Sequence, residues 1–283
     1  MLKQFYKRAS PKQIRFYEQV LYPLQDRVFE IAAVYEDKIY LTAGTALARF
    51  YFQHRFSDDL DFFTTNDDLK LIANDLIERL RQAGFSVDVE RLETYFARFF
   101  VETKDAVLRT EFVREFHRWG DLAKTPQGIY INSLEDIGGN KVSAFEDRAE
   151  IKDIIDLYYI SQSIPLSRLF EVADLKRQPV QYEALLAINA EGITGKVLTK
   201  KDVDEEKLSA FVQQLKEETE SQIKKKEQAA TKHLDAIIRR NLWDFPPDER
   251  KLSATSRPVL KRRLSKLPLP ARRALEKALQ SND

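Results

Sequence analysis

The sequence predicts an α+β chain, with strands confined to the first half and helices filling the second. Three observations predict this. Strand-like alternation recurs between residues 39 and 113, interrupted by helical periodicity. From Ser133 onward every periodic segment has helical spacing. No internal repeat or low-complexity tract breaks the chain. The composition agrees: 43% apolar and 32% charged residues describe a folded chain, and 283 residues suffice for one large domain or two modest ones.

Pro11 opens the first helix, where Ile14, Tyr17, Leu21, Leu24, Val28 and Ile31 recur at spacings of three and four. Residues 39–42 (IYLT) predict a short strand, Ala43-Gly44-Thr45 a turn, and ALARFYFQ a short helix. DLDFFT predicts a second strand. A helix is expected from about Asp67 to Ala83, with Leu69, Ile72, Leu76 and Leu80 as its apolar stripe and Gly84 as its stop. FSVDVERL, YFARFFVE and AVLRTEFV read as three strands, and 114–128 as a loop. Ser133 with Asp136 resembles a capping box. Helices are expected at 140–160, 166–176, 180–189, 205–240, 256–266 and 269–280. The boundary between the two parts is placed near Pro165, giving domains 1–164 and 165–283.

The chain has no cysteine, which removes disulfides, thiol nucleophiles and cysteine-ligated zinc. His54, His117 and His233 are too scattered to predict a histidine zinc site. Any metal is therefore expected on carboxylates, which favours magnesium or manganese. No apolar run has the character of a signal peptide or the length of a membrane helix. A cytoplasmic protein without a membrane partner is expected. The net charge of +1 says nothing about partners.

The stretch SDDLDFF, residues 57–63, carries the most chemistry. Residues two apart in a strand share a face, so Asp59 and Asp61 present two carboxylates together while Leu60 and Phe62 face a core. Two like charges side by side favour a cation between them. Magnesium, which takes carboxylates plus substrate phosphates, suits that arrangement. Upstream, the backbone N–H groups of the Gly44-Thr45 turn can cradle phosphate. A solvated acidic strand edge and an ordinary capped turn are the plainer readings of the same residues. Glu111 in VLRTEFV could complete a carboxylate triad if its strand lies beside the first.

These residues resemble a known family. LTAGTALARFYFQHRFSDDLDFF is similar to the GGTAL…HRxSxDxDxF pattern of the AbiEii/AbiGii toxin nucleotidyltransferases, which belong to the DNA polymerase beta-like superfamily. KVSAFEDRAEIKDIIDLYYI, residues 141–160, is similar to that family's K…A…R…KDxxDL segment. The resemblance covers roughly residues 39–160. It implies a nucleotidyltransferase core with a mixed sheet over 1–164, followed by an all-helical domain over 165–283. It also implies roles. Gly44 and Thr45 would hold the triphosphate, with Arg55 and Ser57 beside it. Asp59 and Asp61 would bind the catalytic metals, magnesium or manganese, and Glu111 would be the third carboxylate. Lys141 would contact the incoming nucleotide, and Arg148 and Asp153 would shape the same cleft. Ala43 departs from the pattern, standing where the family has the first Gly of GGT. On the residues alone, Lys141, Phe145, Arg148, Lys152 and Asp156 fall along one stripe of a continuous helix, with Lys152 and Asp156 as a surface pair.

Residues 250–283 carry ten basic side chains, among them Arg262, Arg263, Arg272 and Arg273, against only Glu276 and Asp283. This basic tail is read as a surface for nucleic-acid phosphates. The resemblance implies transfer of a nucleoside monophosphate from an NTP to an acceptor, with RNA and the tRNA 3′ end favoured and a cognate antitoxin as partner. Two alternatives stand beside it: a small-molecule nucleotidyltransferase of the antibiotic-modifying kind, and a non-catalytic fold that binds nucleotide or protein.

Overall fold

The chain was analysed as a computed structural model that describes residues 2–144, 149–189 and 192–243. Ser10 caps the first helix, accepting a hydrogen bond from the Gln13 backbone N–H while the Gln13 side chain accepts one from Ser10 N. This reciprocal cap satisfies two donors that the first turn would leave free. The helix runs from α1 (Pro11–Phe16) through a wider π turn (Tyr17–Leu21) into α2 (Tyr22–Ala32). The short strand β1 (Tyr6–Arg8) precedes it. Next come β2 (Tyr40–Leu41), α3 (Ala43–Ala46) continuing into a π turn at Leu47–Tyr51, β3 (Leu60–Thr64) and α4 (Leu69–Gln82). Gly84, at φ +91°, follows α4 as the expected stop. The antiparallel run β4 (Ser86–Leu92), β5 (Phe96–Glu102) and β6 (Val107–Arg114) matches the three predicted strands.

Two short strands, β7 (Ala123–Lys124) and β8 (Tyr130–Ile131), complete a seven-stranded mixed sheet of order β4-β5-β6-β3-β2-β8-β7. β3 lies parallel to β6 and antiparallel to β2. Alternation along β3 and β6 buries Leu60, Phe62, Leu108 and Phe112 on one face. There Phe62 stacks on Phe112 with ring centroids 5.2 Å apart, Phe112 on Phe99 at 6.1 Å, and Phe29 of α2 meets Phe62 edge-on. Burying one such ring contributes about 2 kcal/mol, so this face fixes the strand register. The other face carries Asp61, Phe63, Arg109, Glu111 and Val113.

The second half differs from the expected helices in two ways. The helix expected over 140–160 is two helices, α5 (Leu134–Ser143) and α6 (Ile151–Ser161), separated by residues that include β9 (Ala149–Glu150). The single stripe expected for Lys141, Lys152 and Asp156 is therefore corrected. Strands also occur after Ser133: β9 pairs with β10 (Ile193–Thr194), and β11 (Val197–Thr199) pairs parallel with β1. Strands of two or three residues are too short to show a period of two. Ser133 does cap α5, accepting from Asp136 N at 3.1 Å.

The helices α7 (Leu166–Leu175) and α8 (Tyr182–Leu186) follow. Gly138 and Gly139 of α5 allow α7 to pack closely, for a Cβ at Gly139 would sit 2.8 Å from Val172. The first compact unit extends to Glu220, so the expected boundary at Pro165 falls inside it. α9 (Glu205–Trp243) begins in this unit, where Leu208, Phe211, Leu215 and Thr219 are buried. Beyond Ser221 the described residues are helical to Trp243. Among the described residues no helix is long and apolar enough to cross a membrane. The basic tail, the helices expected at 256–266 and 269–280, and Arg148 lie outside the described residues.

Candidate active site

Parallel pairing of β3 with β6 places Asp61 directly beside Glu111, the neighbour expected of it. Glu111 in turn faces Arg98 across the β5–β6 ladder, and Arg98 Nε donates to Glu111 Oε1 at 2.8 Å. Asp59 immediately precedes β3. Its carboxylate accepts a hydrogen bond from Arg109, which sits two residues before Glu111 on the same face of β6. Arg109 Nε also lies 3.6 Å from Glu111 Oε1. Two of the three carboxylates are thus held by arginines.

Asp61 is different: no hydrogen bond or ion pair engages its carboxylate among the described residues. Burial, then the charges of Glu111 and Asp59, push its carboxyl up to about 6, against the opposing pull of Lys141 and Arg109. Protonation or a cation would relieve the same repulsion.

The turn after β2 lies against the start of β3. Thr42 N donates to Asp61 O at 2.9 Å, and the Thr45 hydroxyl bonds both the Ser57 hydroxyl, at 2.8 Å, and the Asp59 carbonyl. Gln25 Nε2 donates to Ser57 O at 3.1 Å from α2. A Cβ at Gly44 would stand 2.3 Å from Arg55 Nη2, so only glycine leaves Arg55 its place. Ala43 has φ +54°, in the left-handed region that favours glycine.

Behind this turn lies a largely buried charge cluster. Arg55 grips Asp156 with two bonds, Nε to Oδ1 at 2.7 Å and Nη2 to Oδ2 at 2.8 Å. Lys141 Nζ lies 2.8 Å from Asp156 Oδ2 and 2.5 Å from Asp153 Oδ1. His54 Nε2 completes the set at 2.8 Å from Asp156 Oδ1. Burial alone would raise the Asp156 carboxyl, but Arg55, Lys141 and His54 hold it well below the usual carboxylate range. Burial pulls Lys141 down, yet Asp153 and Asp156 outweigh it and leave the ammonium raised. Burial lowers His54 against the pull of Asp156, so its imidazole is neutral and donates through Nε2.

The backbone of this segment is clamped from afar. Phe56 N donates to Leu198 O and Lys200 N to His54 O, each at 2.9 Å, and Arg55 forms a bridge with Thr199. β11 is in turn paired with β1, so residues 6–8 and 197–199 brace the motif together.

Residues 28–245 match the nucleotidyl transferase AbiEii toxin family of type IV TA systems. The chain belongs to this family. No curated protein matches it. Among solved structures it is similar to MenT4, a nucleotidyltransferase toxin from Mycobacterium tuberculosis, with 18% identity over 70% of this chain and 82% of that one and a TM-score of 0.51. It is also similar to JHP933 from Helicobacter pylori, with 21% identity over 75% and 98% of the two chains and a TM-score of 0.48. At these identities the likeness to solved structures is one of fold.

Seen as an AbiEii chain, the molecule joins Gly44, Thr45, Arg55, Ser57, Asp59, Asp61, Glu111, Lys141 and Asp153 into one connected region. Several members were not singled out from sequence. Asp156 was expected as the surface partner of Lys152. It is instead the buried hub, and Lys152 pairs with Glu150 at 2.6 Å. The signal was present: an aspartate flanked by Ile154, Ile155 and Leu157 has no solvent to face. Arg98 and Arg109 were also missed, although both alternate with buried residues toward the carboxylate face.

Three carboxylates with no soft donor suit a hard divalent cation. The half-buried, unpartnered carboxylate of Asp61 fits that use. Among the described residues, however, no group of three His, Cys, Asp or Glu is arranged ready to hold a metal ion. Asp59 instead accepts from Arg109 and Glu111 from Arg98.

Proposed function

We propose that the protein transfers a nucleoside monophosphate from an NTP to an RNA acceptor, pyrophosphate leaving, and that it acts as the toxin of a toxin–antitoxin pair. The observation that carries this reading is the juxtaposition of Asp59, Asp61 and Glu111 with the Gly44–Thr45–Ser57 turn. Phosphoryl transfer needs charge stabilisation and positioning above all, and this arrangement offers both. Asp59, Asp61 and Glu111 would hold Mg2+ or Mn2+. Such an ion, when bound, supplies positive charge to the transferring phosphoryl and lowers the pKa of the acceptor hydroxyl.

The chain's own residues do the rest. The backbone N–H groups of Gly44 and Thr45 would meet the triphosphate, while the Thr45 hydroxyl, bonded to the Ser57 hydroxyl and the Asp59 carbonyl, fixes the turn against β3. Arg55 and Asp156 fix the loop that carries Ser57 and Asp59. Lys141, held by Asp153 and Asp156, adds a buried positive charge that acts on Asp61. Arg148 and the basic tail are assigned, from the resemblance alone, to the nucleotide cleft and to acceptor phosphates. The tRNA 3′ end is the favoured acceptor and a cognate antitoxin the partner, and the setting is the cytoplasm.

The arginines on Asp59 and Glu111 favour a second reading, a chain that binds nucleotide without turning it over. Incubation with total RNA and each radiolabelled NTP, with Mg2+ or Mn2+, separates the two. RNA labelling by wild type and none by Asp59→Asn supports the proposal. No labelling with any of the four NTPs leaves the non-catalytic reading.

A further inference from the structure

A pocket of about 500 Å³ opens beside the carboxylates, lined by Phe63, Val113, Phe116, His117 and Arg177 among others. Phe63 and Val113 are paired across β3 and β6, one rung beyond Asp61 and Glu111 on the same face. Two residues along a strand span about 7 Å, roughly the length of one nucleotide step. The floor therefore changes from Asp61 and Glu111 to Phe63 and Val113 within one nucleotide of the reacting centre, and Glu115 beyond them is held by Tyr40 and Lys176.

The position of the pocket relative to the turn matters. β2 runs antiparallel to β3, so Gly44 and Thr45 lie at the start of β3 with Ser57. The pocket lies at the other end of β3 and β6. An in-line displacement puts the attacking and leaving oxygens on opposite sides of the transferred phosphorus. A triphosphate held at Gly44 and Ser57 sends its pyrophosphate that way, so the acceptor enters from the pocket side.

The mouth of the pocket carries the matching chemistry. Phe116 is 70% exposed and Tyr95 55% exposed, an unusual cost for two aromatic rings on a surface. Their centroids are 6.3 Å apart, and the Arg114 guanidinium, ion-paired with Asp67, lies 5.2 Å from the Tyr95 ring and 5.0 Å from the Phe116 ring. Arg177, an exposed residue of the lining, has a left-handed backbone at φ +56° and no ion pair among the described residues. Exposed aromatic faces with interleaved guanidinium groups make a stacking platform for unpaired bases and their phosphates.

We infer that this pocket, with the Tyr95–Arg114–Phe116 stack at its mouth, seats the single-stranded 3′ end of the RNA acceptor. The inference rests on the transfer reaction proposed above. The terminal nucleoside lies over Phe63 and Val113, its 3′-hydroxyl toward Asp59 and Asp61. The preceding base stacks on Phe116, and Arg177 meets the phosphate between them.

The test uses the full chain and a short 5′-fluorescein single-stranded RNA with a free 3′-hydroxyl, read by anisotropy. The same RNA and each NTP are then followed in the labelling assay. Phe116→Ala should weaken binding of the single strand by roughly five- to a hundredfold, the range of one lost base–aromatic stack. Phe116→Trp should restore it. The KM for RNA should rise in Phe116→Ala while that for the NTP stays unchanged. Because Phe116 is exposed, the substitution leaves the core intact, and an unchanged melting temperature confirms this. Wild-type labelling of RNA with an unaltered RNA KM in Phe116→Ala would overturn the acceptor seat alone, as would a change confined to the NTP KM. A wild type that labels no RNA overturns the transfer reading and the seat with it.

Discussion

Arg109 holds Asp59 by a direct ion pair, its guanidinium spanning from β6 to the start of β3 and reaching the edge of Glu111 as well. A positive side chain thus stands where the carboxylates would otherwise face only one another. A divalent ion seeking Asp59 must compete with a group that cannot lose its proton.

Arg109→Gln should consequently bind Mn2+ more tightly than wild type, by about tenfold for each 1.4 kcal/mol of competition removed. The metal-free variant should also melt lower, because Asp59, Asp61 and Glu111 then repel without relief. Mn2+ titration followed by electron paramagnetic resonance, beside thermal melts with and without metal, checks both. Equal Mn2+ affinity in the two proteins would remove the competition argument.

Asp61 predicts a pH dependence. Its folded carboxyl sits at about 6, above the ordinary value of 3.8, so the folded state holds the proton more tightly than the unfolded chain. Its contribution is fully present below about 4 and is lost as pH rises through about 6. The loss is at most about 3 kcal/mol. Metal-free wild type should lose stability across that window, and Asp61→Asn should flatten the slope. Urea denaturation in a pH series measures it. A slope identical in both proteins would show that Asp61 titrates normally.

Asp156→Ala should cost about 3–5 kcal/mol, because Arg55 and Lys141 would remain buried without their shared counter-charge. His54 would lose its acceptor too. The change should also loosen residues 54–57, read as faster amide exchange at Phe56. A variant as stable as wild type would mean that water or a rearranged Asp153 can replace the hub.

Ala43→Gly should raise stability by about 1 kcal/mol, since a left-handed backbone strains an alanine by about that amount. NTP binding should be unchanged or improved. The neighbouring Gly44→Ala should do the reverse, driving Arg55 from Asp156. Differential scanning calorimetry of the pair, with and without NTP, distinguishes the two positions. Destabilisation by Ala43→Gly would show that the turn has adapted to its methyl group.

How much of this was legible follows the length scale of each signal. Asp59 and Asp61 were visible because strand alternation is local, and α4 because fourteen residues carry several periods. Glu111 was visible only as a conditional: its strand had to pair beside β3, and pairing is not written in either strand alone. Asp156 was misplaced because the helix expected over 140–160 breaks between α5 and α6, so the spacing from Lys141 carried no meaning. The two still meet, through folding rather than through helical phase. Lys176 shows the same limit. It lies eleven residues past the expected boundary at Pro165, yet it is buried against Glu115, Asp136 and Asn140. Nothing in its own neighbourhood announces three partners that are distant in sequence.

The brace on residues 54–56 has a bearing on synthesis. Val197–Lys200 supply backbone partners to a segment translated far earlier, and Tyr6–Arg8 can pair with β11 only after it emerges. A chain made from its N-terminus must therefore wait for the backbone partners of residues 54–56 until most of the first unit has left the ribosome. The residues flanking the carboxylate strand thus gain their last backbone partners only once β11 has been made.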